Sequence, residues 1–174
     1  MEIAALAYSV VTATDPASWV RFGEDIAGFS AHPVPGGIAL RMDERAGRIF
    51  IEQGGADRYF ASGWEVRTRR DFAAALAELA AKGVAFTPAT EAERALRHVV
   101  DMVWFTDPAG NRHELAYGFI SSFARFVSPQ AVPAFVTSDL GYGHVVLPAP
   151  RIDECRDFLI DVLPSTITPD NPSR

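Results

Sequence analysis

Apolar and polar positions along this chain repeat a strand–helix–strand order. Residues 3–14 are rich in alanine, valine, leucine and isoleucine and carry no charge between Ile3 and Thr14, which predicts a mostly buried strand. Trp19, Phe22 and Ile26 follow at spacings of three and four, the pattern of a helix that packs an apolar stripe on a sheet. The chain is therefore expected to begin with a strand and a covering helix.

Two alternating segments complete this first unit. Residues 38–42 and 48–52 place large apolar side chains at every second position, the pattern of half-buried antiparallel strands. Residues 29–34 are predicted either to form a further strand or to form none, because Pro33 cannot donate a backbone hydrogen bond. Residues 1–55 are thus predicted to form a β-α-β-β unit, or a β-α-β-β-β unit if the extra strand forms.

The same order returns in residues 56–120. The periodicity predicts a strand, a helix, a short strand, a brief charged helix or turn, and a β-hairpin closed by an Asp-Pro-x-Gly turn, at 59–67, 71–82, 84–87, 91–97 and 99–117. The chain is therefore predicted to be an α+β protein built on two paired βαβββ modules.

A third strand and helix follow the second module. Residues 140–147 predict a short strand and residues 151–163 an amphipathic helix, and the strand aligns with the first strand when Tyr8 is laid on His144. Trp64 takes the corresponding place at the start of the second module. We expect a connector at 121–137, the first strand and helix of an incomplete third module at 138–163, and a loosely ordered tail at 164–174 with three prolines.

Charge and composition narrow the possible partners. The net charge of −6 argues against nucleic-acid binding, which needs a basic surface. No apolar run approaches the roughly 20 residues needed to span a bilayer, so no membrane association is expected. The single cysteine, Cys155, cannot form an internal disulfide, which favours a reducing cytoplasm.

Several segments together resemble the type I extradiol ring-cleavage dioxygenases of the vicinal oxygen chelate superfamily. They are LAYSV at 6–10, the strand pair IALRMD and RIFIE at 38–43 and 48–52, GWEV at 63–66, the hairpin FTDPAGNRHEL at 105–115, and FVTSDLGYGHVVL at 135–147. The resemblance covers nearly all of the chain up to residue 163. The hairpin is common across the superfamily, and the segment that contains His144 is the more specific part.

This resemblance implies an iron enzyme that acts on catechols. Its members hold Fe(II) with two histidines and one carboxylate, and insert O₂ next to a vicinal aromatic diol. By resemblance, His144 is the first iron ligand. The sequence after Leu163 contains neither histidine nor glutamate. We therefore expect this chain alone to bind no iron and to be inactive, as a truncated or degenerate form.

The two modules offer other positions equivalent to metal ligands. These are Tyr8, Trp64, Glu52 and Glu114. The aromatic side chains are expected to fill the cavity, and Glu114 to be solvated or salt-bridged. His113 alternates to the opposite face of its strand from Glu114, so the two cannot chelate one ion. The remaining histidines, His32 and His98, are expected on the surface.

The last predicted helix carries an apolar stripe of Ile152, Cys155, Phe158 and Val162. About four apolar side chains at ~1.5–3 kcal/mol each are too many to leave in water, so we expect a homo-oligomer or a fold-back onto the first two modules. Two other functions stay open beside the dioxygenase. They are a metal-free small-molecule binding protein of the bleomycin-resistance type, and a structural domain without a ligand.

Overall fold

A computed structural model describes residues 1–137 and 141–163. The strands are β1 (Ala5–Ala13), β2 (Ser30–Val34), β3 (Gly37–Arg41), β4 (Ile49–Gln53), β5 (Arg58–Glu65), β6 (Thr87–Pro88), β7 (Asp101–Thr106) and β8 (Arg112–Tyr117). The helices are α1 (Ser18–Arg21), which continues into a π-helical turn (Phe22–Ala27), α2 (Arg69–Ala81), α3 (Glu91–Arg97) and α4 (Ile152–Val162). Within these residues, no helix is long and apolar enough to cross a bilayer.

All eight strands join one sheet in the order β2-β3-β4-β1-β5-β8-β7-β6. In unit one, β1 is followed by the antiparallel run β2-β3-β4, and β4 returns parallel to β1. In unit two, β5 is followed by β6-β7-β8, and β8 returns parallel to β5. The units meet where β1 and β5 pair antiparallel. The predicted α+β fold with two βαβββ modules is confirmed.

The two faces of the sheet carry different residues. We call the face with Tyr8, Phe50 and Glu114 the inner face, and the opposite face the outer face. Because paired residues share a face, the register Ala39↔Phe50 and His32↔Ala39 extends the inner face across unit one. Helices α1 and α2 pack on the outer face, where their apolar residues form two separate clusters with the strands. The inner face is therefore free to form a site.

The first helix differs from its prediction. Trp19 packs against the outer-face cluster of unit one, but Phe22 and Ile26 are 44% and 72% exposed. The π-helical turn widens the helix, since its hydrogen bonds span five residues, and the spacing of three and four no longer points at the sheet. Gly23 is the buried residue of this turn, and an added Cβ there would crowd Leu40.

Local signals fix the helices of unit two. The Thr68 hydroxyl accepts a hydrogen bond from the Asp71 amide and caps α2, which buries Phe72 and Leu79. Helix α3 begins with a capping box in which the side chains of Thr90 and Glu93 bond each other's backbone. In unit one the uncertain strand does form as β2, because Pro33 lies on an edge strand.

The prediction of a third strand and helix after unit two is wrong in part, because the strand does not form in the described residues. Residues 141–147, the described part of the predicted strand at 140–147, adopt turn and coil. A strand needs a hydrogen-bonding neighbour, and this segment reaches the sheet through the Tyr142 amide, which bonds the Leu6 carbonyl at 2.7 Å. Residues 138–140 and the predicted tail at 164–174 lie outside the described residues.

The last helix forms as predicted and folds back onto unit two, but Ile152 of its predicted apolar stripe is 68% exposed. Val162 and Leu163 are buried in one cluster with Leu79 and Phe105. The Phe158 ring lies 6.2 Å from that of Phe105, centroid to centroid. The free Cys155 is buried, as its place in the apolar stripe predicts.

Candidate functional site

A buried glutamate forms the centre of the inner face. Glu114, in the middle of β8, is fully inaccessible to solvent. Its carboxylate accepts a hydrogen bond of 2.6 Å from the Tyr8 hydroxyl and 2.9 Å bonds from Arg97 Nε and Arg112 Nε. Two guanidinium groups and a phenol therefore hold it, and the salt-bridged alternative for Glu114 is the one observed.

Arg97 connects the two units. It is the last residue of α3, is 3% exposed, and donates from Nη1 to Glu52 Oε1 at 2.5 Å as well as to Glu114. Glu52 and Glu114 lie on the last strands of their units, β4 and β8. The planes of Tyr8 and Phe50 lie beside the same guanidinium, at 5.7 and 5.3 Å from its central carbon. One cation of the chain thus serves both equivalent carboxylates.

The protonation states of this network follow from its charges. Burial alone would lower the pKa of Arg97, but the carboxylates of Glu114 and Glu52, with the Tyr8 hydroxyl, raise it above its ordinary value. Burial first, and then the negative charge of Glu114, raise the pKa of Tyr8 well above its ordinary value. At neutral pH the network therefore contains a charged Arg97 and a neutral Tyr8 whose hydroxyl donates a hydrogen bond to Glu114.

Tyr8 fills the inner face as predicted, but Trp64 does not. Tyr8 pairs with Gly63 in the β1–β5 register, and its ring covers that glycine so closely that a Cβ would overlap it. Trp64, one residue further, points to the outer face, where its Nε1 donates to His113 Nδ1 at 3.1 Å. The inward position of unit two therefore belongs to a glycine whose missing side chain makes room for Tyr8.

His113 lies on the outer face, opposite Glu114, as the alternation along β8 predicts. Its ring is fully buried and stacks on Phe105 at 5.7 Å between centroids. Since Trp64 donates to Nδ1, the proton of the neutral ring is on Nε2, which lies 3.6 Å from Asp107 Oδ2 and has no hydrogen-bond partner among the described residues. Burial lowers the pKa of His113 although Asp107 opposes this.

The two histidines expected on the surface are both partly buried. His32 lies on the inner face of β2, and its Nε2 is 3.0 Å from the Ser30 hydroxyl. His98 ends α3 in a left-handed conformation, with φ 53°. Burial lowers the pKa of each imidazole, and for His32 the charge of Arg41 lowers it further.

His144, the predicted metal ligand, is exposed in the coil at 141–147. Across residues 1–137 and 141–163, no three side chains of the histidine, cysteine, aspartate and glutamate types come together to hold a metal. A mononuclear iron site of the two-histidine, one-carboxylate type needs three such ligands. The described residues therefore do not fit Fe(II), and the carboxylates nearest to such a role, Glu52 and Glu114, are already neutralised by Arg97.

The chain is similar in sequence to ring-cleaving dioxygenases. The family model for the first domain of BphC dihydroxybiphenyl dioxygenase matches residues 6–54. The iron-dependent extradiol dioxygenase of Rhodococcus jostii is 35% identical over 165 residues, covering 94% of this chain and 55% of the relative. The biphenyl-2,3-diol 1,2-dioxygenase of Paraburkholderia xenovorans is 32% identical over 165 residues, with the same coverage of 94% and 55%.

Solved structures with a similar fold include those of catechol dioxygenases. A catechol 2,3-dioxygenase superposes with a TM-score of 0.86 at 25% identity, over 93% of this chain and 58% of that one. BphC, a halotolerant catechol dioxygenase, gives 0.85 at 30% identity, over 92% and 55%. The chain spans little more than half the length of the relatives it matches. In sequence and in fold, the chain is similar to the extradiol dioxygenases, and it has the vicinal oxygen chelate fold.

Proposed function

We propose that this chain serves an Fe(II)-dependent extradiol dioxygenase that cleaves a catechol-type ring with O₂. The observation that carries the proposal is the 35% identity along 94% of the chain to a protein described as an iron-dependent extradiol dioxygenase. Further relatives are named for 3-methylcatechol and biphenyl-2,3-diol, which are vicinal aromatic diols. The substrate class is therefore an aromatic ring with two adjacent hydroxyl groups.

The chain's own part in this function is that of a metal-free scaffold. Its inner-face carboxylates are occupied by Arg97 and Arg112, which leaves no group of three ligands within the described residues. We propose that His144 contributes one iron ligand only when two further ligands are supplied from outside these residues. The isolated 174-residue chain is accordingly inactive.

A ring-cleavage assay tests the scaffold role of the isolated chain. The purified chain is loaded anaerobically with Fe(II), exposed to air with 2,3-dihydroxybiphenyl or 3-methylcatechol, and followed by the visible absorbance of the ring-opened product. The iron-dependent enzyme of R. jostii serves as the positive control. We expect product from the control and none from this chain. Ring cleavage by the isolated chain would overturn the scaffold role.

We further propose a cytoplasmic homo-oligomer. Several large apolar side chains of the segment from 123 to 152 are strongly exposed, among them Phe123, Val136 and Val146. A contiguous exposed apolar patch is typical of protein interfaces, and we propose that these side chains contribute to one. The single cysteine is free and buried, which suits a reducing compartment. Light scattering of the purified chain measures its mass, and a monomer at micromolar concentration would contradict the oligomer.

A further inference from the structure

A large cleft opens on the inner face of unit one. It has a volume of about 980 Å³ and lies between β2 and β3 on one side and α3 on the other, with the segment at 120–124 along its edge. This volume is within the range of roughly 300–1,000 Å³ that is usual for small-molecule sites. It is separate from His144, which does not line it.

Most of the cleft surface is apolar. Val34, Phe60, Leu96 and Ile120 line it together with small residues of α3. Two acidic residues also reach it, but each is already paired: Glu52 binds Arg97 and Glu93 binds Arg112. Both arginines also bind Glu114, which does not line the cleft, so neither Glu52 nor Glu93 is an unpaired charge at the cleft wall. An apolar molecular body would therefore lose little by leaving water for this cleft.

Within the described residues, one cation that lines the cleft has no carboxylate partner. Arg41, at the end of β3, is only 5% exposed and lines the cleft. Its Nε and Nη2 donate to the backbone carbonyls of Arg45, Asp43 and Ala124, at 3.1, 3.2 and 2.9 Å. Within residues 1–137 and 141–163, no carboxylate lies within salt-bridge distance of the Arg41 guanidinium. Its Nη1 has no hydrogen-bond acceptor among the same residues. A buried cation without an anion is costly, so the site favours a negative ligand.

The surroundings of Arg41 fix the number of charges. His32 is its neighbour on the cleft wall, and its imidazole is held by the Ser30 hydroxyl. A neutral imidazole adds no charge, and the nearby Glu24 accepts from the Ala31 amide without lining the cleft, so Arg41 is the cation at this corner that has no carboxylate partner. A single carboxylate can become that partner by accepting from Nη1, because the backbone carbonyls occupy the hydrogens of Nε and Nη2.

We propose that the unit-one cleft binds an apolar monocarboxylate, of the size of an arenecarboxylate with one or two rings, with its carboxylate on Arg41 and its rings against Phe60, Leu96 and Ile120. This binding function is additional to ring cleavage and needs no metal. A neutral diol cannot compensate the charge of Arg41, so the cleft discriminates acids from catechols. The two small residues that α3 presents to the cleft, Ala92 and Ala95, leave room for the rings.

Titration calorimetry of the metal-free chain tests the proposal, with biphenyl-4-carboxylate as the probe and biphenyl-4-carboxamide as its neutral isostere. We expect saturable one-site binding of the carboxylate and at least about tenfold weaker binding of the amide, a difference of ~1.4 kcal/mol or more. Amide NMR shifts upon binding should map to β2, β3 and α3. Absence of saturable binding, or equal affinity for acid and amide, would refute the site.

Three variants locate the binding. Arg41→Gln should weaken the carboxylate by at least about tenfold, a loss of ~1.4 kcal/mol. Arg21→Gln, at a highly exposed arginine on the helix of the outer face, should bind like the wild type. Because Arg41 also holds three backbone carbonyls, Ala95→Trp provides the second test: this exposed α3 residue lines the cleft, and the indole would fill it. Wild-type affinity in Ala95→Trp would refute the proposal, whatever the Arg41 variant does.

Discussion

Unit one and unit two share one strand order but differ on their inner faces. In unit one, two residues join β2 to β3, and the inner face beside them opens into the cleft. In unit two, α3 is inserted between β6 and β7 and carries Arg97 to Glu114. The same helix forms the far wall of the unit-one cleft. A single short insertion therefore closes the interior of one module and shapes the open site of the other.

The comparison also shows how the symmetric carboxylates of the two units are paired. Glu52 and Glu114 are equivalent in the two units, and each would need a cation if buried alone. The chain supplies that cation as the guanidinium of Arg97, at 2.5 and 2.9 Å from the two carboxylates. This arrangement stabilises the interface of the units and leaves neither carboxylate free to bind a metal.

Removal of Arg97 should have the largest effect on stability. Arg97→Met leaves Glu114 buried without one of its two cations, and breaking a buried ion pair from one side costs about 3–5 kcal/mol. Urea unfolding measures this loss. Arg21→Met is the matched control, because Arg21 is exposed and its ion pair with Asp25 spans 4.0 Å, so a change of at most about 0.5 kcal/mol is expected. Equal stability of the two variants would contradict the central role of Arg97.

The pairing of β1 with β5, where the two units meet, can be tested at the close contact of Tyr8 and Gly63. Gly63→Ala places a methyl group against the Tyr8 ring, and overpacking of this kind costs about 1–3 kcal/mol. Gly55→Ala is the control, because nothing lies within contact distance of its added Cβ, and its free energy of unfolding should change little. A harmless Gly63→Ala would show that Tyr8 does not occupy the inward position of unit two.

The outer faces of the units also differ, since α4 covers only unit two. Val162→Ala removes two buried methyl groups from the cluster with Leu79, which corresponds to about 1–2 kcal/mol. Val146→Ala changes a side chain that is 88% exposed and should be neutral. Limited proteolysis after residue 137 should speed up in the Val162 variant alone. Equal cleavage of both variants would mean that α4 does not dock on unit two.

The smallest predicted effect concerns pH and His113. Because burial lowers its pKa in the folded chain, the unfolded chain binds more protons once the pH falls below about 6.5. The free energy of unfolding should therefore decrease from pH 7 to pH 5. His113→Gln should show a shallower decrease when each variant is referred to its own value at pH 8. The residual slope belongs to His32 and His98, whose pKa values are lowered in the same direction. Identical slopes would contradict the buried neutral state of His113.

Periodicity predicted the architecture well, because alternation and helical spacing report directly which side of an element is buried. Periodicity failed where a shift of one residue changes the face to which a side chain points. Aligning Trp64 with Tyr8 is off by one position, and in a strand this reverses the face, so that Gly63 is the residue that points inward. The π-helical turn likewise rotated Phe22 and Ile26 away from the sheet.

The sequence pattern could not predict the network of Arg97. Residues 91–97 predict only a brief charged helix or turn, whereas Arg97 is buried because the sheet brings β4 and β8 to its end. Its partners Glu52 and Glu114 are 45 and 17 residues away along the chain. Local spacing cannot report such a contact, whereas the capping box at Thr90 and Glu93 was within reach.

The iron content of the isolated chain decides whether its own residues form a metal site. After anaerobic loading with Fe(II) and removal of free metal, we expect iron far below one atom per chain, with the same iron content in His144→Ala. One tightly held iron per chain, lost in His144→Ala, would contradict it, because the described residues would then complete a metal site that their geometry lacks.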